Sequence, residues 1–341
     1  MIGIRFARMD DIENIVAFLR EHWSENNILV KSRRIFDFQY VDGENCGFVL
    51  AADDETGRIY GLKGFFPFNH QPRPDIAAAL AIVLQGVRPM LGMEIQRFLE
   101  KNTNCRWLCS TGLNPDTSVR IYKRFRGYTV DRLKHYYRLA DRPAYSVAAV
   151  RQKRIRPVPE GGGFLLPDTP EALFAVFDPA AYREQRPYKD EAYLTRRYFE
   201  HPVYRYRMLG IRSQDSEGAD GVYIAREVEC NGARVLRIVD YIGDRRAVAR
   251  AGGALERYMR ERDAEYADFY CYGFGHEALE AGGFVLRDEN DPNVVPNYFE
   301  PFEQRNIDIH FFSTGDENAA VCRADGDQDR PSILPEGFAD E

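Results

Sequence analysis

A loop that leads into a helix is the first place where this sequence could bind a charged ligand. The run VRPMLGMEI (87–95) follows an apolar segment, and apolar residues then recur at helical spacing from Leu91 to Leu99. The first N–H groups of a helix lack partners within it and lie at the positive end of its dipole. Gly92 allows the backbone to approach a ligand closely, and Arg88 adds positive charge. The stretch predicts a phosphate-binding loop, although Gly92 is also explained as a small packing residue.

The run NPDTSVRIYKRFRGY (114–128) carries a second set of polar groups. Asn114 precedes a proline and is among the best residues to cap the start of a helix. Tyr122 lies two turns into that helix, where it could pack beside apolar neighbours or present its hydroxyl as a proton donor. Gly127 and the aromatic residue after it are typical of a helix end. For Asn114 and Tyr122 the structural and the chemical interpretations both stay open.

Candidates for acid–base chemistry or substrate contact are few. His70 follows the third predicted strand in FFPFNHQPRP, and Ser110 and Thr111 lie in the predicted strand CRWLCSTGL. An exposed loop histidine is the simpler interpretation of His70, but all three residues are candidates to contact a substrate. The sequence has no Ser-His-Asp arrangement and no His/Cys set at metal-ligand spacing. It therefore predicts neither a covalent enzyme intermediate nor a metal.

Composition narrows the class of protein. The 341 residues are 44% hydrophobic with a formal net charge of −7, which suits two globular domains and disfavours a nucleic-acid surface. No apolar run reaches 18 residues and the N-terminus does not resemble a signal peptide, so we expect a cytoplasmic protein without membrane contact. The six cysteines are scattered, and we expect them to be free thiols.

Periodicity divides the chain into two halves of similar plan. The order β-α-β-β-β-α-β-α-β over residues 1–140 predicts an α/β domain, including a hairpin whose turn is Asp54 to Gly57. Residues 141–163 read as a Pro- and Arg-rich linker. The same order returns over 164–300, which indicates duplication, and 301–341 form a C-terminal tail.

The first half resembles the GNAT acyltransferases. Its opening IRFARMDDIENIVAFL resembles their first strand and helix, and 87–95 resembles their V-x-P loop and helix. The run 114–128 is similar to their Asn-helix-Tyr-helix-Gly-aromatic ending. This resemblance implies an α/β fold of two tandem GNAT-like domains, each a mixed, largely antiparallel sheet flanked by helices.

The resemblance also implies an acyl-CoA co-substrate and roles for particular residues. The end of the fourth strand, Gln85 to Val87, is expected to pair with the pantetheine arm, and the helix start is expected to hold the pyrophosphate. Asn114 would bond the pantetheine amides and Tyr122 would protonate the leaving thiolate. The expected acyl-CoA contacts are Gln85, Gly86, Val87, Arg88, Met90, Leu91, Gly92 and Met93.

The two-half layout, the PMLG loop and the ADGDQDRP tail look most like tandem-GNAT sugar N-acyltransferases. That likeness implies transfer of an acyl group, from acetyl-CoA or a short hydroxyacyl-CoA, to the amine of a dTDP- or UDP-linked aminodeoxy sugar for surface polysaccharide. Two alternatives stay open: an aminoacyl-tRNA-dependent peptidyl transferase of tandem-GNAT type, and a non-catalytic protein that binds CoA or nucleotide sugars.

The attacking amine must lose a proton, and the sequence offers no carboxylate–histidine pair for that step. We therefore expect desolvation between the two halves to favour the neutral amine, with water removing the proton. The second half lacks the loop glycine, the Asn and the Tyr, so we expect it to shape the acceptor site rather than to bind CoA.

Overall fold

The computed structural model describes residues 1–315 and 318–340. Its first half follows the predicted order of strands and helices, and the predicted turn at residues 54–57 is confirmed. The elements, in chain order, are β1 (Ile2–Phe6), α1 (Ile12–His22), α2 (Ile28–Lys31), α3 (Arg33–Tyr40), β2 (Val41–Asp42), β3 (Asn45–Cys46), β4 (Phe48–Asp53), β5 (Ile59–Pro67), β6 (Asp75–Val83), α4 (Leu91–Thr103), β7 (Trp107–Thr111), α5 (Ser118–Tyr122), β8 (Tyr128–Arg132) and β9 (Lys134–Leu139).

The second half repeats this plan with longer central strands. A π-helical turn, Thr195–Phe199, extends its second helix, and 3₁₀ turns occur at Pro179–Tyr182 and Arg245–Arg250. The elements are β10 (Phe164–Leu165), α6 (Pro170–Val176), α7 (Glu191–Leu194), β11 (Arg207–Arg212), β12 (Ala219–Cys230), β13 (Ala233–Gly243), α8 (Gly252–Glu261), β14 (Ala264–Tyr272), α9 (His276–Ala281), β15 (Val285–Leu286), β16 (Tyr298–Phe299), β17 (Phe302–Glu303), β18 (His310–Thr314) and β19 (Val321–Cys322).

Two mixed sheets confirm the predicted fold class. The first has the strand order β1-β4-β5-β6-β7-β18-β8, and the second has the order β10-β11-β12-β13-β14-β9-β15, with β19 beside β14. In each sheet one pair is parallel, β6 with β7 and β13 with β14, and the remaining pairs between described strands are antiparallel. A helix connects each parallel pair, α4 in the first half and α8 in the second. The shared plan supports duplication.

The two halves exchange one strand each. The last strand in the order predicted for residues 1–140 breaks at the buried Leu133, so β8 stays in the first sheet while β9 inserts between β14 and β15 of the second. In return β18, from the segment predicted as a tail, lies between β7 and β8 of the first sheet. The boundary between the two sheets is therefore not at residue 140. In each sheet, the hydrogen-bond partner of one inner strand comes from the other half of the chain.

Residues 319–329 pass through the interior rather than forming a solvated tail. The Lys189 ammonium lies 2.5 Å from a carboxylate oxygen of Asp240 and 2.6 Å from one of Asp325, and all three side chains are buried. Asp240, Asp325 and Cys322 have metal-ligand spacing, and the ammonium of Lys189 provides the positive charge there. Burial of a charge is tolerated when a partner of opposite charge is close.

Asp329 makes a second buried ion pair in this segment. Its carboxylate accepts from Arg226 Nε at 3.0 Å and from the Tyr206 hydroxyl at 2.8 Å. Burial alone would raise the pKa of Asp329, but Arg226, Arg197 and Arg323 together lower it well below its usual range. A carboxylate with a lowered pKa stabilises the fold fully above the pKa that it has in the unfolded chain, about 4. This contribution is lost as the pH falls further, through the pKa of the folded state.

All six cysteines are free thiols, as predicted. None of the described helices has the length and apolar character needed to cross a membrane.

We predict that Asp329→Asn lowers the free energy of unfolding by about 3 kcal/mol at pH 7, because it leaves Arg226 buried without its counter-charge. Asp327→Asn is the matched control. Asp327 lies 3.9 Å from Arg330, so its loss should cost below about 1 kcal/mol. Urea denaturation at pH 7 and at pH of about 2 measures both variants, and the difference between Asp329→Asn and the wild type should shrink at the lower pH, where the Asp329 carboxylate approaches its folded-state pKa. Equal stability of the wild type and Asp329→Asn would contradict this account.

Candidate active site

The parallel strands β6 and β7 separate after three paired residues. Their register runs from Asp75 opposite Trp107 to Ala77 opposite Cys109, and no further pair forms among the described residues. On its other edge β6 carries one extra residue, because Lys63 lies opposite Ala81 whereas Phe65 lies opposite Ala78. Such a bulge bends a strand and leaves backbone groups unpaired. The result is a gap beside β6 with free main-chain donors and acceptors.

The loop between β6 and α4 is tightly turned. Gly86 and Met90 both have left-handed backbone angles, with φ of 76° and 66°. The prediction that Gln85 to Val87 end the fourth strand is wrong, because β6 ends at Val83 and the glycine turns the chain away. A ligand that pairs with the backbone of β6 would therefore bond to residues before Leu84.

The start of α4 is available to an anion only in part, because Leu91 N donates to the Arg88 carbonyl at 3.4 Å and Met93 N donates to the Met90 carbonyl at 2.9 Å. Helix α4 begins at Leu91, as the sequence predicts, and a Cβ added at Gly92 would meet only Val83 Cγ2, at 3.5 Å. The guanidinium of Arg88 pairs with Glu94 at 2.5 Å, and both side chains are more than a third exposed. The arrangement leaves room for a phosphate group at the first turn.

Asn114 caps the turn before α5 and not the helix itself, because α5 begins at Ser118 and its N-cap position is Thr117. The Asn114 side-chain oxygen accepts from the backbone N–H of Asp116 at 2.9 Å and of Thr117 at 3.2 Å. This contact orders the turn before α5, a helix of only five residues that ends at Tyr122. Its binding of a pantetheine amide stays a prediction.

The Tyr122 hydroxyl meets a residue that the sequence analysis missed. Lys63, in the middle of β5, is 3% exposed, and its ammonium donates to the Tyr122 oxygen at 2.8 Å and to Gln96 Oε1. The Tyr122 ring packs on Phe312 of β18, with the ring centroids 4.3 Å apart. A lysine within the apolar run RIYGLKGFFPF was the available signal, since a charged residue rarely occupies the inner part of such a strand.

A cavity of about 730 Å³ opens between the two halves, beside the ends of β5 and β1. Phe65, opposite the start of the bulge, is in its wall. Further wall residues come from the end of β1, the α3–β4 segment, the loop between β5 and β6, the start of β6, the end of α4, α7, the π-helical turn and the 319–330 segment. Among them are Phe38, Tyr40, Asp42, Gly47, His70, Ile76, Tyr193, Arg196, Arg197 and Arg330.

His70 lies in the wall of this cavity between two carboxylates. Its Nδ1 is 2.9 Å from Asp190 Oδ2, and its Nε2 is 3.4 Å from Asp42 Oδ2. The hydrogen bond to Asp190 is the main reason that the pKa of His70 is raised above its ordinary value. The expectation that no carboxylate–histidine pair exists is therefore wrong. Asp190 lies 120 residues away in the sequence, so only the tertiary structure reveals the pair.

Arginine side chains lie in the wall of the same cavity. Arg196 donates to the carbonyl oxygens of Asp37, Phe38 and Val41. Arg197 donates to the Asp329 carbonyl at 2.9 Å and also lowers the pKa of the Asp329 carboxylate, so its charge is largely balanced there. Carbonyl partners do not cancel a guanidinium charge, so Arg196 favours an anionic group in the cavity.

Ser110 and Thr111 lie elsewhere. Both are buried in β7, where they pair with Phe312 and Phe311 of β18, and neither is among the described residues that line the cavity. Residues 85–93 of the loop and α4 are also not in its wall. The structure thus separates the predicted cofactor loop from the cavity.

Replacing Asp190 tests the histidine pair directly. We predict that Asp190→Asn lowers the pKa of His70 towards its ordinary value, because the strongest hydrogen-bond acceptor of its ring loses its charge. Asparagine can still cap α7, where Asp190 accepts from Tyr193 N at 2.8 Å. The titration of His70, followed by imidazole NMR and assigned with His70→Asn, measures the pKa. Asp42→Asn is the matched control and should produce a smaller shift. An unchanged titration in Asp190→Asn would contradict the pairing.

No protein-family model and no curated protein matches the sequence. A conserved protein of unknown function from Enterococcus faecalis V583 has a similar solved structure, with 11% identity, a TM-score of 0.50, and coverage of 92% of this chain and 72% of that one. A GCN5-related N-acetyltransferase from Anabaena variabilis has 12% identity and a TM-score of 0.49, with coverage of 92% of this chain and 72% of that one. Saccharomyces cerevisiae N-myristoyltransferase has 9% identity and a TM-score of 0.45, with coverage of 92% of this chain and 80% of that one. At these identities the similarity is one of fold alone.

Proposed function

We propose that this protein is an acyl-CoA-dependent N-acyltransferase whose acceptor amine binds between the two halves. The observation that carries the proposal is the His70–Asp190 pair in the wall of the cavity, on the fold of the N-acetyltransferases. A histidine that is oriented by a carboxylate is a suitable general base for an amine. The separated strands β6 and β7 and the free start of α4 supply the remaining parts of such a site.

The acyl-CoA contacts follow from the first half. The backbone N–H groups of Met90 and Gly92 and the side chain of Arg88 would hold the pyrophosphate, since those of Leu91 and Met93 donate to backbone carbonyls. Unpaired backbone beside the β6 bulge would bond the pantetheine arm. The pairing of Arg88 with Glu94 would have to open for that contact. Tyr122 would then supply the proton for the leaving sulfur.

Proton transfers balance if two residues act on opposite sides of the thioester. His70 takes a proton from the acceptor nitrogen as the C–N bond forms, and Tyr122 gives a proton to the sulfur as the C–S bond breaks. The products are an amide and a free thiol. Because the pKa of His70 is raised, its neutral form becomes available at a higher pH than that of an ordinary histidine.

The acceptor we favour is a nucleotide-linked aminodeoxy sugar. Two features of the cavity support it. Its volume of about 730 Å³ suits a ligand of that size, and the charge of Arg196 in its wall would attract a phosphate group. The alternative of an aminoacyl-tRNA substrate is disfavoured by the net charge of −7, and the alternative of a CoA-binding protein without activity requires that His70 serve another purpose.

We predict that Gly92→Asp raises the KM for acyl-CoA at least tenfold, because it places a carboxylate at the pyrophosphate. The added side chain meets no close neighbour, so the protein should fold. Asn102→Asp adds the same charge at the far end of α4 and should leave this KM within twofold. Steady-state thiol release measures both. If the two variants have equal KM values, acyl-CoA does not bind at the start of α4.

A screen of amines with acetyl-CoA tests the acceptor. We expect turnover of dTDP- or UDP-amino sugars, and we expect His70→Asn to lower kcat by about 10²-fold, which is typical for a lost general base. The wild-type rate should rise with pH as the imidazole loses its proton. Turnover only of peptides or polyamines would contradict the sugar proposal. Unchanged kcat in His70→Asn would remove the histidine from the chemistry.

A further inference from the structure

Lys63 is a buried charge without a direct counter-charge. Its side chain is 3% exposed, and no carboxylate lies within ion-pair distance of its ammonium among residues 1–315 and 318–340. The ammonium donates to the oxygen atoms of Tyr122 and Gln96, and the rings of Tyr122 and Phe312 lie 5.2 and 5.5 Å away. Burying an ammonium without a counter-charge costs folding free energy, so we expect this lysine to have a function that offsets the cost.

The contrast with Lys189 supports this view. Lys189 is buried to the same degree but lies within 2.6 Å of two aspartates, which is sufficient to explain its presence. The charge of Lys63 is balanced only through Gln96, whose amide donates to Glu100 at 2.6 Å. Packing alone would be served equally well by a methionine at this position.

The direction of the hydrogen bond decides what Lys63 does to Tyr122. An ammonium has three donors and no acceptor, so at 2.8 Å the Tyr122 oxygen must accept. The hydroxyl proton therefore points away from Lys63. The other contact of this hydroxyl is Gln96 Oε1 at 3.5 Å, which is too long for a strong hydrogen bond and is already shared with Lys63. The proton stays available to a further acceptor.

Lys63 lies next to the bulge of β6. It is opposite Ala81, at one side of the bulge, so the Tyr122 oxygen is bound by a side chain of the strand that pairs with this part of β6. Helix α4 contributes Gln96, and β18 contributes Phe312 beneath the Tyr122 ring. Three elements thus fix one hydroxyl.

We propose that Lys63 is a positioning residue that holds the Tyr122 hydroxyl as a proton donor and stabilises its anion after transfer. The inference rests on the proposed function. When the C–S bond breaks, the electron pair goes to sulfur, and sulfur takes the proton of Tyr122. The phenolate that remains lies 2.8 Å from the Lys63 ammonium in a water-poor setting, where a fixed positive charge is most effective. Water restores the proton before the next turnover.

A double-mutant cycle on Lys63 and Tyr122 tests this role. We expect Lys63→Met to lower kcat tenfold or more with the KM for acyl-CoA within twofold, and Tyr122→Phe to lower kcat by about 10²-fold. On the Tyr122→Phe background, Lys63→Met should change kcat less than twofold, because the oxygen that it acts on is absent. A purely structural lysine would lower kcat by the same factor in both backgrounds.

Tyr128→Phe is the control. Its hydroxyl contacts Gln96 and Glu100 in the same network, so any effect of its loss should be the same with and without the Tyr122 hydroxyl. Thermal unfolding checks each variant. If Lys63→Met does not fold, Lys63→Gln replaces it in the cycle with the same expectation, since glutamine can donate a hydrogen bond but carries no charge.

The outcomes separate the two proposals. A wild-type protein without acyl transfer to any amine would refute the proposed function. An active wild type in which the Lys63 and Tyr122 effects multiply independently, or in which Lys63→Met leaves kcat unchanged, would refute the role of Lys63 alone.

Discussion

An inner strand of a sheet needs hydrogen-bonding partners along both edges, and this requirement joins the two halves of the chain. The edge of β7 that faces away from β6 is filled by β18, and β8 reaches the first sheet only through β18. The edge of β14 that faces away from β13 is filled by β9. Because each half supplies a strand to the other, neither sheet is complete until both have formed.

The exchange also determines where the charged side chains lie. The chain that returns from β18 passes between the halves, which brings Asp325 to Lys189 and Asp329 to Arg226. These pairs are buried, so each carboxylate is needed to balance a cation that is already in place. The acidic run at the C-terminus is therefore part of the interior. Its composition resembles that of a solvated tail, but its neighbours are arginine and lysine side chains.

The candidate site is assembled from both halves for the same reason. His70 belongs to the first half and Asp190 to the second, and the arginines of the π-helical turn face the wall formed by the α3–β4 segment. A π-helical turn is a common feature of functional sites. On the opposite side of the β6 bulge, Lys63, Gln96 and Tyr122 come from a strand and two helices of the first half, with Phe312 from β18 beneath them. A substrate that spans this bulge would meet groups from four distant parts of the chain.

The sequence by itself determined the local elements and their order. The turn at 54–57, the start of α4 at Leu91, the capping contact of Asn114 and the repeated plan of the two halves follow from hydrogen bonds and periodicities within a few residues. It also identified His70 and Tyr122 as polar groups that needed an explanation. The tertiary structure alone decided their partners. Lys63 and Tyr122 are 59 residues apart and His70 and Asp190 are 120 apart, and no local pattern encodes such a contact. The break of the predicted strand at Leu133 has the same cause: both segments have strand propensity, and which sheet each one joins depends on the edges that the rest of the fold leaves unpaired.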